Sequence, residues 1–149
     1  MYLINRRLIN IITKYTEEDI KQISQIFETH LKERLNPDDY YEVTYPNFNK
    51  CIKISNVGSA GPGGSLFIWI RLLYYDKFIV DISNICLPEY IRRKGVLTDI
   101  INDLLELDTV LEVKISGVST EEMTRFVQKM NMREVSFGDY TISKNGGVG

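Results

Sequence analysis

The stretch Asp81–Asp103, DISNICLPEYIRRKGVLTDIIND, decides how the rest of the chain is read. A β-like apolar run from Phe78 to Leu87 meets Pro88, then the basic turn Arg92-Arg93-Lys94-Gly95, and an amphipathic segment starts at Val96. The first amides of a helix have no intrahelical acceptor and lie at its positive end. Three cations beside such an end make a place for an anion, most naturally a phosphate. Gly95 lets a ligand come close to the backbone because it carries no Cβ. On these residues alone, a basic and merely solvated strand-to-helix loop remains the alternative.

Outward from this stretch the pattern stays mixed. Leu66–Leu73 (LFIWIRLL) is an apolar strand joined to the Phe78–Leu87 strand by a turn near Tyr75-Asp76-Lys77. After the basic turn, Val96, Ile100, Leu104 and Leu107 share one helical face, which predicts a helix of about three turns ending near Asp108. Val110–Ile115 follows as a strand, and strand–helix–strand implies a parallel pair.

Towards the N-terminus, Leu8–Lys14 reads as a first strand. Thr16 and Asp19 stand at capping-box spacing before Ile20, Ile23, Phe27 and Leu31, so a helix runs to Arg34 and is over before Pro37. His30 reads as a surface histidine near its negative end. Asn36–Asn49 is loop-like, acidic and tyrosine-rich, and Cys51–Ser55 alternates as a strand. The glycine-rich Asn56–Ser65 connection lacks the lysine of a phosphate-binding P-loop. Trp69 reads as sheet packing. Ser119 and Glu122 bracket a second capping box ahead of Met123, Phe126, Val127 and Met130, and Arg133–Phe137 and Tyr140–Ser143 close the chain as short strands. Residues 1–144 are expected to form one domain, with 145–149 a frayed tail.

The 149 residues carry 44% hydrophobic and 26% charged side chains, ordinary globular values. A formal net charge of -2 supplies no global field for nucleic acid, so the cations at 92–94 are a local feature. Cys51 and Cys86 fall in apolar runs and read as buried thiols in a reducing compartment, and one histidine leaves no histidine-rich metal site. No run reaches membrane-spanning length and no signal peptide follows Arg6-Arg7, so a soluble, cytoplasmic protein is expected. The frequency of isoleucine, lysine and asparagine fits an AT-rich bacterial or viral genome.

Pro88-Glu89-Tyr90 with Arg92-Arg93-Lys94-Gly95-Val96-Leu97-Thr98 resembles motif A of the GNAT superfamily of acyl-CoA-dependent N-acyltransferases. Arg92 takes the first place of its Gln/Arg-x-x-Gly-x-Gly/Ala pattern, Gly95 the central glycine, and Leu97 the place of a smaller residue. Arg125–Val135 is similar to the family's Phe-Tyr-x-x-x-Gly-Phe helix end, with Phe126 and Met132 at the apolar places and Asn131 at the left-handed glycine position. The resemblance covers roughly residues 78 to 143. It implies an α/β (α+β) fold: a central, mixed, mostly antiparallel sheet with a splayed parallel strand pair, flanked by about four helices.

It also implies a function: transfer of an acetyl or other acyl group from acetyl-CoA, a co-substrate, to a primary amine of a small molecule or protein. The main chain and side chains of Arg92, Arg93, Lys94, Gly95, Val96, Leu97 and Thr98 would hold the diphosphate, and Ile85 and Leu87 would pair with the pantetheine arm. Asp81 is the candidate general base, with Glu89 a second. The family's acid is a tyrosine where this chain has Val127, so Tyr140 is the candidate acid. The acceptor wall implied at 36–49 suits a cationic amine, and no metal is implied. A catalytically inactive GNAT-like domain that binds or regulates a protein partner is the alternative, and a homodimer is compatible with either.

Overall fold

The computed structural model describes residues 14–56 and 64–144. All of the expected first strand Leu8–Lys14 except Lys14, most of the glycine-rich connection and the tail at 145–149 lie outside the described residues. Within them, helix α1 (Glu17–Arg34) precedes strand β1 (Glu42–Thr44), the short helix α2 (Pro46–Asn49), and strands β2 (Cys51–Ser55), β3 (Phe67–Tyr74) and β4 (Phe78–Cys86). A 3-10 turn at Glu89–Ile91 leads to α3 (Val96–Glu106), β5 (Glu112–Ile115), α4 (Glu121–Lys129), β6 (Arg133–Ser136) and β7 (Asp139–Ser143). The strands form one sheet in the order β1-β2-β3-β4-β5-β7-β6. Only β4 and β5 are parallel; every other described pair is antiparallel. This is the expected mixed, mostly antiparallel architecture.

Register sorts the side chains into two faces. Ile52, Ile54, Ile68, Ile70, Val80, Ile82, Val113 and Ile115 lie on one face and belong to the core, together with Ile23, Phe27 and Leu31 of α1 and Ile100, Ile101 and Leu104 of α3. Arg71, Asp81, Lys114 and Thr141 oppose one another in a row on the other face. The apolar positions of α1 recur at three- and four-residue steps, which is why one side of it is buried.

Helix α1 starts with the expected capping box: Thr16 Oγ1 accepts from the Asp19 amide and Asp19 Oδ2 from the Thr16 amide. α1 and α3 run antiparallel, joined by charged contacts four residues apart on each helix. His30 Nε2 meets Asp103 Oδ2 at 2.5 Å, and Arg34 Nη2 meets Asp99 Oδ2 at 2.5 Å. His30 is therefore an interhelical contact and not a surface histidine, because α3 passes directly over it. Two other expectations change. The segment after Pro37 forms β1 and α2 where a loop was expected, β1 pairing with β2. Helix α4 is capped by Thr120, whose side chain accepts from the Met123 amide, and not by Ser119.

Arg34 also donates through Nε to the Lys94 carbonyl at 3.3 Å, so one guanidinium fixes the end of α1 to the basic turn. Arg34→Lys loses this fork of donors and should destabilise nearly as much as Arg34→Ala, about 1–2 kcal/mol after allowing for the partly exposed Asp99. Urea denaturation of both variants checks this.

Candidate functional site

The parallel pair is short. Ile79, Val80, Asp81 and Ile82 pair with Glu112, Val113, Lys114 and Ile115, and the Ser116 amide donates to the Ile82 carbonyl at 3.2 Å. There the strands part: β4 continues to Cys86 paired only with β3. The register shifts at the same level, Ile70 opposing Ile82 while Trp69 opposes Asn84, which leaves Ser83 as the extra residue of a bulge. Ile85 lies beyond this fork, on the stretch of β4 with no second neighbour strand among the described residues, and Leu87 follows just past the end of the strand. The Leu87 carbonyl accepts from Arg92 Nε at 2.8 Å.

At the far end of that stretch, α3 begins with Gly95 in the left-handed region at φ 75°, preceded by Arg93 at φ 61°. A non-glycine residue at positive φ in a turn of this kind marks a locally constrained backbone. A Cβ built on Gly95 would meet nothing within 4 Å, so the space over the turn is open. None of the amides from Lys94 to Thr98 has a protein acceptor among the described residues; the first helical bond into the turn is Asp99 N–H to the Gly95 carbonyl. Val96 and Leu97 point into the core and Thr98 is half-buried, so bulky Leu97 leaves the open side of the turn free. Arg92, Arg93 and Lys94 are exposed, Arg93 Nε standing 3.8 Å from Glu122. Asp99 would oppose an anion here, but Arg34 neutralises it.

Asp81 and Tyr140 bracket the base of the fork from opposite faces of the sheet. Asp81 is fully buried; its Oδ2 accepts from Arg71 Nε (2.9 Å) and Nη2 (2.5 Å), and its Oδ1 from Ser116 Oγ (2.7 Å). Tyr140 opposes Ile115, on the face that carries the core, and is half-buried. Desolvation and then the Glu134 carboxylate push its hydroxyl above its ordinary value. Val127 is fully buried in the core, so α4 offers no hydroxyl at that position. Glu89 is exposed on the 3-10 turn.

Sequence reading missed Arg71 and Ser116 as the partners of Asp81. The arginine inside the apolar run LFIWIRLL was the available signal, since a charge on a central strand calls for a partner. The tyrosine-rich segment lines a cavity of about 370 Å3 with Glu28, Lys32, Asp39, Tyr40 and Tyr41. Its carboxylates already accept hydroxyls, Glu28 from Tyr41 and Asp39 from Tyr90. Burial and the neighbouring Glu28 push Tyr41 up to about 12. Trp69 is half-buried on the face away from the helices, and Cys86 is half-buried where a buried thiol was expected. No described helix is long and apolar enough to cross a membrane.

Asp81→Asn should cost about 2 kcal/mol of stability, because the fully buried side chain keeps only one acceptor oxygen for the Arg71 and Ser116 donors, while Arg71 itself stays partly exposed to water. Denaturant melts against Ser116→Ala, which removes one neutral hydrogen bond and should cost about 1 kcal/mol, provide the comparison.

No family model matches the sequence. No curated protein matches it. Among solved structures, Arabidopsis thaliana NAA60 in complex with a bisubstrate analogue is similar over 85% of this chain and 95% of its own, at 12% identity and a TM-score of 0.45. Ard1 from Thermoplasma volcanium is similar over 86% and 91%, at 18% identity and a TM-score of 0.39. The described strands form a mixed sheet whose single parallel pair forks, with α1 and α3 packed on its apolar face.

Proposed function

We propose that the protein transfers an acetyl or other acyl group from acyl-CoA to a primary amine. The observation that carries this reading is the pairing of two open features at one end of β4: among the described residues, a strand edge without a second neighbour and a helix start whose amides lack protein acceptors. An acyl-CoA has matching parts in matching order, an extended arm with two amides and a diphosphate. Amides 94–98 would take the diphosphate, with Arg93 and Lys94 adding charge and Arg92 bracing the turn through Leu87. The main chain of Ser83–Leu87 would pair with the arm as a neighbouring strand does.

As substrate, the thioester supplies an activated carbonyl carbon for attack by the amine. A donor N–H of the β4 edge suits the developing oxyanion. On the polar face Asp81, buried with Arg71 on its Oδ2 and Ser116 Oγ on its Oδ1, is the proposed general base, and a proton from the amine would have to reach it through the Ser116 hydroxyl. On the other face Tyr140 offers a hydroxyl to the leaving thiol. The elevated position of its proton affinity suits a group that stays protonated at neutral pH. The mixed charges of the tyrosine-lined cavity, with Lys32 beside Glu28 and Asp39, leave the acceptor's charge open.

One observation favours a second reading, a GNAT-like module that binds coenzyme A or a protein partner without turnover. Val127 is sealed in the core where the family's acid stands, so Tyr140 has to act in its place.

Gly95→Val tests the turn. A branched side chain at φ 75° is strained and would stand in the open space over the amides, so affinity for coenzyme A should fall at least about tenfold. Calorimetry measures this. A thiol-release assay with acetyl-CoA and a panel of amines then separates turnover from binding alone; Tyr140→Phe should slow release in an enzyme. Wild-type protein indifferent to millimolar coenzyme A would sink both readings.

A further inference from the structure

Along an extended strand successive amides point to alternate sides. The Ser116 amide turns towards β4 and reaches the Ile82 carbonyl. If β5 simply continued, the amide two residues on, Val118, would turn the same way and pair with β4 beyond the bulge. It turns the other way and donates to the Gly138 carbonyl at 2.8 Å. The reversal happens at Gly117, which sits in the left-handed region at φ 71°. Its own amide is taken by Asp139 Oδ1 at 3.0 Å, and Ser136 Oγ holds Asp139 Oδ2 at 2.8 Å.

We propose that Gly117, with Gly138 and Asp139 of the β6–β7 hairpin, is the device that holds the β4–β5 fork open, and that these are positioning residues for whatever extended chain enters it. Naming that chain as the arm of an acyl-CoA rests on the acyltransferase reading; the strand geometry does not.

Three further features support the assignment. Gly138 adopts φ 77°, and a Cβ there would lie 3.2 Å from the Val118 carbonyl, so a side chain at this position would be strained and would push the hairpin away from Val118 by a few tenths of an ångström. Phe137 at the hairpin tip is 100% exposed, so core packing does not anchor the tip. The Gly117 amide, then the Ser136 hydroxyl, hold Asp139 below the ordinary carboxylate range, with Lys114 and Arg71 adding to the effect. It is thus a full-strength acceptor at neutral pH.

Asp139→Ala removes the acceptor, whereas Asp139→Asn keeps one oxygen in place. Hydrogen exchange on the unliganded protein reads the strand geometry, and calorimetry with coenzyme A reads the fork. In Asp139→Ala, exchange at Gly117 and Val118 should rise about tenfold and coenzyme A affinity should fall about tenfold, with Asp139→Asn within about threefold of wild type on both. Gly117→Ala, strained only by its φ because nothing lies closer than 4.0 Å to its Cβ, should slow exchange at residues 84–87 as β5 re-pairs with β4. Unchanged exchange at Val118 in Asp139→Ala, or unchanged exchange at 84–87 in Gly117→Ala, overturns the proposal. Should wild type ignore coenzyme A while the exchange results come out as described, the acyltransferase reading fails and the strand device stands.

Discussion

Every buried main-chain amide and carbonyl needs a partner. A central strand that loses one neighbour halfway along therefore creates a demand the protein must meet with water or a ligand. β4 is in that position. Up to Ile82 it is paired on both sides; beyond the Ser83 bulge it has, among the described residues, β3 alone. The bulge and the departure of β5 coincide, so the opening is built from both strands at once. An extended ligand carrying amides answers this demand in the same currency as a strand, which is why the open edge points to a chain-like ligand more than to a compact one.

The two sheet faces divide the labour. On one, aliphatic side chains of four strands pack under α1 and α3 and fix the sheet. On the other, Arg71, Asp81 and Lys114 stand in a row across three strands. A fully buried carboxylate is costly unless its lone pairs are used, and Asp81 has three donors. Its bond to Ser116 Oγ also ties down the residue just past β5 whose amide still reaches β4. Asp81 thus contributes to the point where the fork begins, whatever its part in proton transfer. Tyr140 occupies the same level on the opposite face, so a reaction in the fork would have one titratable group on each side of the sheet.

Much of this was legible in the residues. The 3.6-residue recurrence of Ile20, Ile23, Phe27 and Leu31 and the Thr16–Asp19 capping pair gave α1 its bounds, and the apolar runs around Trp69 and Val80 gave the central strands. The parallel pair followed from strand, basic turn, helix and strand in sequence. What periodicity does not carry is tertiary pairing. Glu42–Thr44 is too short and too polar to announce itself as a strand; it exists because β2 offers an edge. His30 looks like any polar residue late in a helix until α3 crosses it. Ser119 and Thr120 are equally good caps by type, and only backbone geometry chooses Thr120. Gly117 and Gly138 read as ordinary turn glycines, since their importance lies in which amide each one redirects.

The basic turn gains its character less from its side chains than from what surrounds them. With a net charge of -2 the whole chain offers an anion no attraction, and Asp99 in the first turn of α3 would repel one. Arg34, reaching over from α1, answers Asp99 and grips the Lys94 carbonyl, while Arg92 is turned back onto Leu87. Two of the four cations near the site thus hold protein groups. Arg93 stands 3.8 Å from Glu122, so the attraction left for a ligand comes from the turn's amides, which have no protein acceptor among the described residues, and from Lys94 with a share of Arg93. A site of that composition selects by geometry first: an anion must present several oxygens to a row of N–H groups, as a diphosphate does, before the two remaining positive charges can add to its binding.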